Sequence, residues 1–222
     1  MSEAAETAAA QTEGARGILF VVSSPSGGGK GTLIRRILPE VPGLGYSVSW
    51  TTRPARTGEA HGVHYFFVTP AEFLAARARG EFIEWAVVHG NYYATSRPVV
   101  EAELAAGRDV ILELDVQGAA AVRALALEAV SVFILPPSFE VLRVRLIARK
   151  SESLDDLAIR LRNARAEVEH YREFDYVVLN DEVERAAAQL AAIIYAARAE
   201  RAHQEALARR VLDTFPDPAA AD

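Results

Sequence analysis

The segment with the clearest chemical meaning runs from Ser24 to Thr32 and reads S-P-S-G-G-G-K-G-T. It follows an apolar run typical of a strand and opens an amphipathic helical pattern. Glycines there let the backbone turn its N–H groups around an anion, a helix start adds a favourable dipole, and Lys30 reaches two neighbouring phosphates. The segment therefore predicts a phosphate-binding loop, whose candidate ligands are Ser26, Gly27, Gly28, Gly29, Lys30, Gly31 and Thr32.

This loop departs from the usual pattern at two positions. Ser24 replaces the first Gly, and Gly31 follows the lysine where Ser or Thr is usual, with Thr32 one position late. The usual hydroxyl ligates Mg²⁺, so either Thr32 substitutes for it or phosphates and water hold the metal, which the strong hydration of Mg²⁺ allows. A plain glycine-rich turn is the alternative. It is disfavoured because one of only two lysines in the chain stands at the required position.

A second group of anion-binding side chains lies further along the chain. Arg53 and Arg56 are three residues apart and are followed by Tyr65, a set that suits a terminal phosphate through bidentate and hydroxyl hydrogen bonds. The segments F-I-E-W-A, which contains Glu84, and G-N-Y-Y-A-T, which ends at Thr95, add a carboxylate, hydroxyls and aromatic rings. Taken alone, the two arginines are as consistent with an exposed loop as with a phosphate site. Glu84 taken alone is more typical of an exposed side chain on an alternating strand.

The elements that position these residues alternate between short apolar runs and longer helical patterns. Nearly continuous apolar runs predict buried parallel strands, and the segments between them predict helices on both faces of the sheet. The fold class is therefore α/β, a P-loop NTPase core with a parallel sheet flanked by helices. The predicted strands are residues 18–23, 110–114, 130–135 and 176–179, and the predicted helices are residues 32–38, 117–127, 138–149 and 183–210.

Two stretches interrupt this alternation. Residues 46–97 alternate in polarity around a single helix that starts at Thr69 and Pro70, and they predict an inserted lobe with a small mixed sheet. Residues 145–165 are charged and helical, and they predict a lid. The remaining parts are the core, residues 17–45, 98–144 and 166–212, and two tails, residues 1–16 and 213–222, the first predicted to be disordered.

Composition excludes several classes of protein. The chain has 222 residues, no Cys and no apolar run long enough for a bilayer, so a disulfide-stapled or membrane protein is excluded. The net charge of −6 argues against nucleic acid as a partner, because broad basic surfaces supply that affinity. The N-terminal segment fits neither a secretory signal nor a transit peptide, and a cytoplasmic location is expected. His61 and His64 lack partners at zinc-like spacing.

Six motifs in order, from the phosphate loop through S-x-S-x-T-T-R-x-x-R-x-G-E, F-I-E-W-A, G-N-Y-Y and L-D-V-Q-G to V-L-N-D, resemble those of the guanylate kinase family. The resemblance covers about residues 17–201. It implies transfer of the γ-phosphoryl group of ATP to GMP, giving ADP and GDP, with Mg²⁺. It also implies a three-part fold of core, GMP-binding lobe and lid.

The resemblance also implies roles for individual residues. On the GMP side, Glu84 suits the guanine N1–H and amine, Ser49 and Thr95 suit the O6 acceptor, and Glu59 orients the arginines. Residues on the GMP phosphate are Arg53, Arg56, Tyr65 and Tyr93. Thr95 stands where the family commonly has Ser.

The remaining implied roles concern ATP and the transfer. Lys30 bridges the β and γ phosphates, Asp115 orients metal-bound water or the acceptor phosphate, and Asn180 lies beside the adenine. Glu113 matches a frequently acidic position and is a weaker candidate. The arginines implied to reach the transferring group are Arg145, Arg149 and Arg160. By spacing alone, exposed helix charges are the better interpretation of the first two.

Two other functions stay open at this point. Scaffold proteins carry domains of this fold that have lost the phosphate loop and bind peptides, although the lysine, glycines and lid arginines are present here. Another nucleoside monophosphate kinase is the nearer alternative, because Gly31 and Thr32 after Lys30 are also typical of adenylate kinases. The sequence does not distinguish a monomer from a homodimer.

Overall fold

The elements below are those of a computed structural model, which describes residues 16–88, 90–125, 127–148 and 154–216. Most of the two predicted tails lies outside these ranges. In chain order the elements are β1 (Leu19–Ser23), α1 (Lys30–Ile37), β2 (Leu44–Tyr46), β3 (Trp50–Thr51), β4 (Phe66–Phe67), α2 (Pro70–Ala78), β5 (Phe82–Val88), β6 (Asn91–Ser96), α3 (Arg97–Ala105), β7 (Asp109–Glu113), α4 (Val116–Ala124), β8 (Val130–Leu135), α5 (Phe139–Ala148), α6 (Leu154–Glu169), a 3₁₀ turn (His170–Glu173), β9 (Tyr176–Leu179), α7 (Val183–Ala199) and α8 (Arg201–Leu212).

The first apolar run forms the central strand of a five-stranded sheet of order β2-β7-β1-β8-β9. All four strand pairs are parallel, and Val22 of β1 pairs with Glu113 of β7 and with Val132 of β8. The predicted strands 130–135 and 176–179 match β8 and β9. Strand β1 begins one residue later than predicted, and β7 begins and ends one residue earlier. The predicted α/β class is confirmed.

Helices cover both faces of this sheet. On one face the side chains of β1 and β8 pack against α1 and α7, with Phe20, Leu33 and Leu190 fully buried. On the other face β1 and β7 pack against α3 and α4, where Val100 and Val122 are buried. Burial on both faces explains why these strands are nearly continuous in apolar residues.

A second sheet has four strands in the order β4-β3-β6-β5. It is mixed, since β3 is parallel to β4 and β6 is antiparallel to both β3 and β5. The predicted small mixed sheet is confirmed. Residues 44–46, by contrast, form β2 of the parallel sheet, so Tyr46 lies in the large sheet although the inserted lobe was predicted to begin there.

Helix α2 of the second sheet's layer begins where the sequence predicts. Thr69 Oγ1 accepts a hydrogen bond from Glu72 N at 3.2 Å, and Glu72 Oε2 accepts one from Thr69 N at 2.7 Å. Pro70, which has no N–H to satisfy, occupies the first turn. This reciprocal capping places Phe73, fully buried, against Phe82 of β5.

The single helix predicted over residues 183–210 is wrong. The chain forms α7 and α8, which are separated at Glu200, where ψ is 139°. The buried stripe of α7 ends at Ala197, and α8 has no buried residue, so no apolar face holds the second segment on the axis of the first. Within the described ranges, no helix combines the length and the apolar character needed to cross a membrane.

Candidate active site

The phosphate loop connects β1 to α1 and has the backbone that its glycines predict. Gly27 and Gly29 have φ values of 83° and 95°, in the left-handed region that other residues rarely adopt. A Cβ on Gly28 would lie 2.7 Å from Ser24 Cβ, so a side chain is excluded there as well. Lys30 follows as the first residue of α1. The loop and the helix start are therefore joined as a phosphate cradle requires.

Two residues from the C-terminal half of the chain hold the outer side of this loop. Asn180 Nδ2 donates to the Gly28 carbonyl at 2.8 Å, and Arg145 Nη1 donates to the same oxygen at 3.4 Å. Arg145 Nη2 also donates to the Asn180 carbonyl at 2.9 Å. These bonds place two of the predicted site residues directly on the loop.

The side chains of the other two predicted lid arginines lie outside the described part of the chain. Arg149 lies outside the described residues, as does Lys150. Arg160 lies on α6, but its side chain also lies outside the described part. Their assignment to the transferring phosphoryl group stays a prediction.

Glu113, at the end of β7, occupies the space beside Gly31. A Cβ on Gly31 would lie 3.0 Å from Glu113 Oε1 and 3.2 Å from Oε2. Tyr46 OH donates to Glu113 Oε2 at 3.4 Å. Burial of the Tyr46 ring, with the charge of Glu113 next to it, raises the pKa of the tyrosine above its usual range. The carboxylate thus lies between the phosphate loop and the tyrosine at the end of β2.

Arg53 and Glu59 form a bidentate ion pair in the loop between β3 and β4. Arg53 Nη1 and Nη2 each donate to a Glu59 oxygen at 2.9 Å, and the side chains are 13% and 19% exposed. Glu59 Oε2 also accepts from Arg56 N at 2.7 Å. The hydrogen bonds from Arg53 and from the Arg56 backbone lower the pKa of Glu59 to about 2. The carboxylate therefore fixes one arginine side chain and the backbone of the other.

Aromatic rings surround the Arg53 guanidinium. Its central carbon lies 5.4 Å from the centroid of Tyr65, which is a cation–π distance. The Tyr65 and Tyr93 rings meet edge to face at 6.0 Å. Burial raises the pKa of the Tyr65 hydroxyl, and the charges of Tyr93 and Glu113 add to the shift. The four predicted residues on this anion site thus include three in mutual contact.

Glu84 of β5 and Thr95 of β6 face each other as a cross-strand pair. Thr95 Oγ1 donates to Glu84 Oε1 at 2.6 Å, and Thr95 is almost fully buried. Burial raises the pKa of Glu84 above its usual value, and the charge of Asp115 raises it further. Ser49 precedes β3, half-buried, and its carbonyl accepts from Phe66 N at 2.9 Å.

Asp115 lies between the two sheets. It caps α4, with Oδ1 accepting from Gly118 N at 2.8 Å, and the side chain is exposed. Its effect on the pKa of Glu84 shows that the two carboxylates are close enough to interact. Asp115 therefore lies just after β7 of the parallel sheet and close to the Glu84–Thr95 pair.

The histidines have structural partners. His64 Nδ1 accepts from Ala60 N at 3.0 Å, and His61 Nδ1 accepts from Phe67 N at 3.2 Å. Across the described ranges there is no cluster of three or more His, Cys, Asp or Glu side chains arranged to hold a metal ion. Both histidines belong to the turn that carries Tyr65.

The sequence patterns do not predict two residues that the structure adds to the site. Tyr46 contacts Glu113 across 67 residues of chain, and Glu167 of α6 accepts a hydrogen bond from Ser26 N across 141 residues. Neither has a local pattern that marks it, because a lone tyrosine after a short strand and a glutamate in a charged helix are both common on protein surfaces. Only the fold brings these two residues next to Glu113 and to the phosphate loop.

Comparison with known proteins gives a consistent result. The family model described as guanylate kinase matches residues 16–197. A guanylate kinase of Dechloromonas aromatica is 49% identical over 200 residues, covering 88% of this chain and 99% of that protein. One of Neisseria gonorrhoeae is 51% identical over 189 residues, covering 85% and 92%. The crystal structure of guanylate kinase from Anaplasma phagocytophilum matches with a TM-score of 0.72 at 34% identity, covering 91% of this chain and 97% of that one.

Proposed function

The chain belongs to the guanylate kinase family, and on that premise we propose that it transfers the γ-phosphoryl group of ATP to GMP, giving ADP and GDP. The observation that carries the proposal is the spatial order of two anion sites. Glu113 lies beside Gly31 of the phosphate loop and accepts a hydrogen bond from Tyr46. Its charge also contributes to the raised pKa of Tyr65, which lies beside Arg53. Two phosphorylated substrates bound at these sites would meet across Glu113.

Recognition of guanine rests on the Glu84–Thr95 pair. The N1–H and N2 amine of guanine are adjacent donors that match one carboxylate, and the O6 acceptor matches the hydroxyl of Ser49, or that of Thr95 once its O–H turns away from Glu84. Adenine offers an acceptor at N1 and would leave the half-buried Glu84 without a donor from the base. A site of this kind discriminates by about 10⁴-fold, so AMP should be a very poor acceptor.

The GMP phosphate is assigned to the arginine cluster. Arg53 is already oriented by the Glu59 carboxylate, which leaves less side-chain entropy to lose when phosphate binds. Arg56, exposed and held through its backbone by the same carboxylate, approaches from the loop. The hydroxyls of Tyr65 and Tyr93 supply the remaining donors.

ATP is assigned to the phosphate loop and Asn180. Backbone N–H groups of residues 27–32 face an anion in loops of this kind, and Lys30 supplies a compact positive charge between the β and γ phosphates. Asn180 Oδ1 is buried and has no hydrogen-bond partner among the described residues. The bond from Asn180 Nδ2 to the Gly28 carbonyl holds this residue against the loop, which supports a position of Asn180 beside the base.

The transfer itself requires positioning and charge stabilisation rather than a covalent enzyme intermediate. Lys30 would stabilise charge on the β and γ phosphates, and Asp115 would orient the acceptor. Arg145 now bonds to the Gly28 and Asn180 carbonyls. We propose that it, together with Arg149 and Arg160, contacts the transferring group once the lid, residues 145–165, closes and excludes water.

The residues beside Gly31 fit Mg²⁺, which prefers oxygen ligands and keeps much of its water. Gly31 has no hydroxyl, but the Glu113 oxygens fill the volume where a Ser or Thr side chain would lie. Glu113 and Asp115 would hold the metal through water, with Thr32 as a further candidate. Bound there, the metal would neutralise charge on the phosphates.

A coupled assay that follows ADP tests the proposal, with GMP, dGMP, AMP and UMP as acceptors. We expect turnover with GMP, and we expect Lys30→Ala to lower kcat by about 10²-fold or more with little effect on the KM for GMP. Preference for AMP would indicate an adenylate kinase, and GMP binding without turnover would indicate a scaffold domain. The cytoplasmic location and the choice between monomer and homodimer stay predictions.

A further inference from the structure

A carboxylate from α6 bonds to the backbone of the phosphate loop. Ser26 N donates to Glu167 Oε2 at 2.8 Å, and both residues are partly buried. While this bond lasts, the Ser26 N–H cannot also serve a nucleotide phosphate. The negative charge of Glu167 would also repel a phosphate brought against it. The contact therefore acts on the shape of the loop rather than on the nucleotide directly.

The same helix packs against the neighbouring residue of the loop through α5. Ala164 of α6 is buried in a small cluster with Leu142 and Leu146 of α5. The Leu146 side chain lies 3.0 Å from the position that a Cβ on Gly27 would take. Ala164 and Glu167 are three residues apart and so share one face of α6. One face of α6 thus bonds to Ser26 directly and supports Leu146 of α5, which packs beside Gly27.

We propose that Glu167 is a positioning residue for phosphoryl transfer. Its carboxylate fixes the first turn of the phosphate loop and ties that turn to the helix on which Arg160 lies. The inference rests on the proposed function. Because α6 is a single helix over Leu154–Glu169, a movement of its N-terminal half reaches the loop through Glu167. Loss of the bond should loosen the ATP side of the site and leave the GMP side intact.

Three substitutions separate the hydrogen bond from the charge. Glu167→Gln keeps an oxygen acceptor at the same reach and removes the charge. Glu167→Asp keeps the charge but is one methylene shorter and cannot hold the bond without movement. Glu167→Ala removes both. We expect kcat/KM for ATP to stay within about twofold in the Gln variant and to fall by about tenfold or more in the Asp and Ala variants, since small misplacements of reacting groups are costly.

Glu169→Ala is the matched control. Glu169 lies two residues further on α6, is exposed, and pairs with Arg165 at 3.5 Å rather than with the loop. We expect wild-type constants from it. In every variant the Kd of GMP, measured by calorimetry without ATP, should equal that of the wild type. Hydrogen exchange at the Ser26 amide should quicken in Glu167→Ala and Glu167→Asp and stay slow in Glu167→Gln.

Each other outcome overturns the proposal. An unchanged kcat/KM for ATP in Glu167→Ala means that the bond does not position the loop. Failure of Glu167→Gln alongside Glu167→Ala means that the charge matters and the hydrogen bond does not. Parallel losses for ATP and GMP with a lowered Tm indicate a general structural role. If the wild type itself does not phosphorylate GMP, the proposed function fails, while amide exchange still tests the contact of Glu167 with the loop.

Discussion

The Glu113 carboxylate lies directly beside Gly31, with Oε1 3.0 Å from the position that a Cβ on residue 31 would take. Because glycine is the smallest residue, Glu113 can approach the start of α1 and still reach the Tyr46 hydroxyl. The missing hydroxyl after Lys30 is therefore paired with an acidic oxygen from the neighbouring strand. At this end of the phosphate loop the nearby side-chain oxygens are those of Glu113, because residue 31 has no side chain.

This pairing predicts a specific effect on Mg²⁺ dependence. In Glu113→Ala we expect the Mg²⁺ concentration for half-maximal activity to rise by about tenfold or more, as loss of outer ligands typically causes. Titration of Mg²⁺ at saturating ATP and GMP measures it. Glu103→Ala is the control, because Glu103 is a glutamate on α3 whose side chain pairs with Arg108. An unchanged Mg²⁺ midpoint in Glu113→Ala would remove this residue from the metal site.

The Arg53–Glu59 pair predicts that a residue without direct substrate contact controls GMP affinity. Glu59→Gln weakens the bidentate pair and frees the Arg53 side chain, so we expect the KM for GMP to rise by about tenfold, equivalent to about 1.4 kcal/mol. The KM for ATP should not change. Glu81→Gln is the matched control, because Glu81 forms a similar two-bond pair with Arg79 next to the same small sheet. Equal effects of both substitutions would contradict the assignment.

The two carboxylates of the GMP side should titrate in different pH ranges. Burial raises the pKa of Glu84, whereas hydrogen bonds lower that of Glu59 to about 2. As the pH falls, Glu84 is protonated first and loses its acceptor for guanine while Glu59 stays ionised. The KM for GMP should therefore rise on the acid side with a midpoint above 4.5, the usual value for Glu.

The control for this pH profile is Glu84→Gln. The phosphate of GMP titrates with both enzymes, so the difference between their profiles belongs to Glu84. We expect the variant to start with a high KM for GMP and to lack the additional acid step. Identical acid limbs in the two enzymes would show that Glu84 does not contact the base.

The raised pKa of Glu84 also predicts a gain in stability when the charge is removed. A carboxyl whose pKa is higher in the folded state destabilises that state progressively as the pH rises from its unfolded value through its folded value. Glu84→Gln keeps an acceptor for Thr95, so we expect the variant to have a higher Tm than the wild type at pH 7. The gap should close below pH 4.5, and thermal scans at both pH values measure it. A less stable variant at pH 7 would contradict this reasoning.

The capping box of α2 predicts a stability effect without a functional one. Thr69→Ala removes the bond to Glu72 N and should cost about 1 kcal/mol, or about 2–4 °C in Tm. Both substrate constants should be those of the wild type, since Thr69 contacts none of the site residues described above. Thr214→Ala, at a threonine that bonds to Val211 O near the chain end, is the control and should not lower Tm.

Much of the fold follows from the sequence because local patterns determine it. The apolar strands β8 and β9 and the turn at Gly27 and Gly29 each leave a local signal. Strand β2 leaves little, because it has three residues and Gly45 in its centre. The break at Glu200 leaves none, since both flanking segments are rich in residues that favour helices.

The parts of the site that the sequence does not predict depend on contacts across long stretches of chain. Glu167 and Tyr46 are ordinary surface residue types, and their partners lie 141 and 67 residues away. Glu113 was a weaker candidate for a similar reason. Its importance depends on its position beside Gly31, and the sequence motif does not show that the two residues are neighbours.

The three residues that bond to the backbone of the phosphate loop come much later in the chain than the loop itself. The loop is synthesised before its partners Arg145, Glu167 and Asn180, which follow by 117 to 152 residues. Strand β1, which leads into the loop, likewise pairs with β7 and β8, and both are synthesised after it. A nascent chain that ends before Asn180 thus carries the whole nucleotide-binding motif without the contacts that shape it. The contacts that hold the loop can therefore form only after most of the domain has been translated.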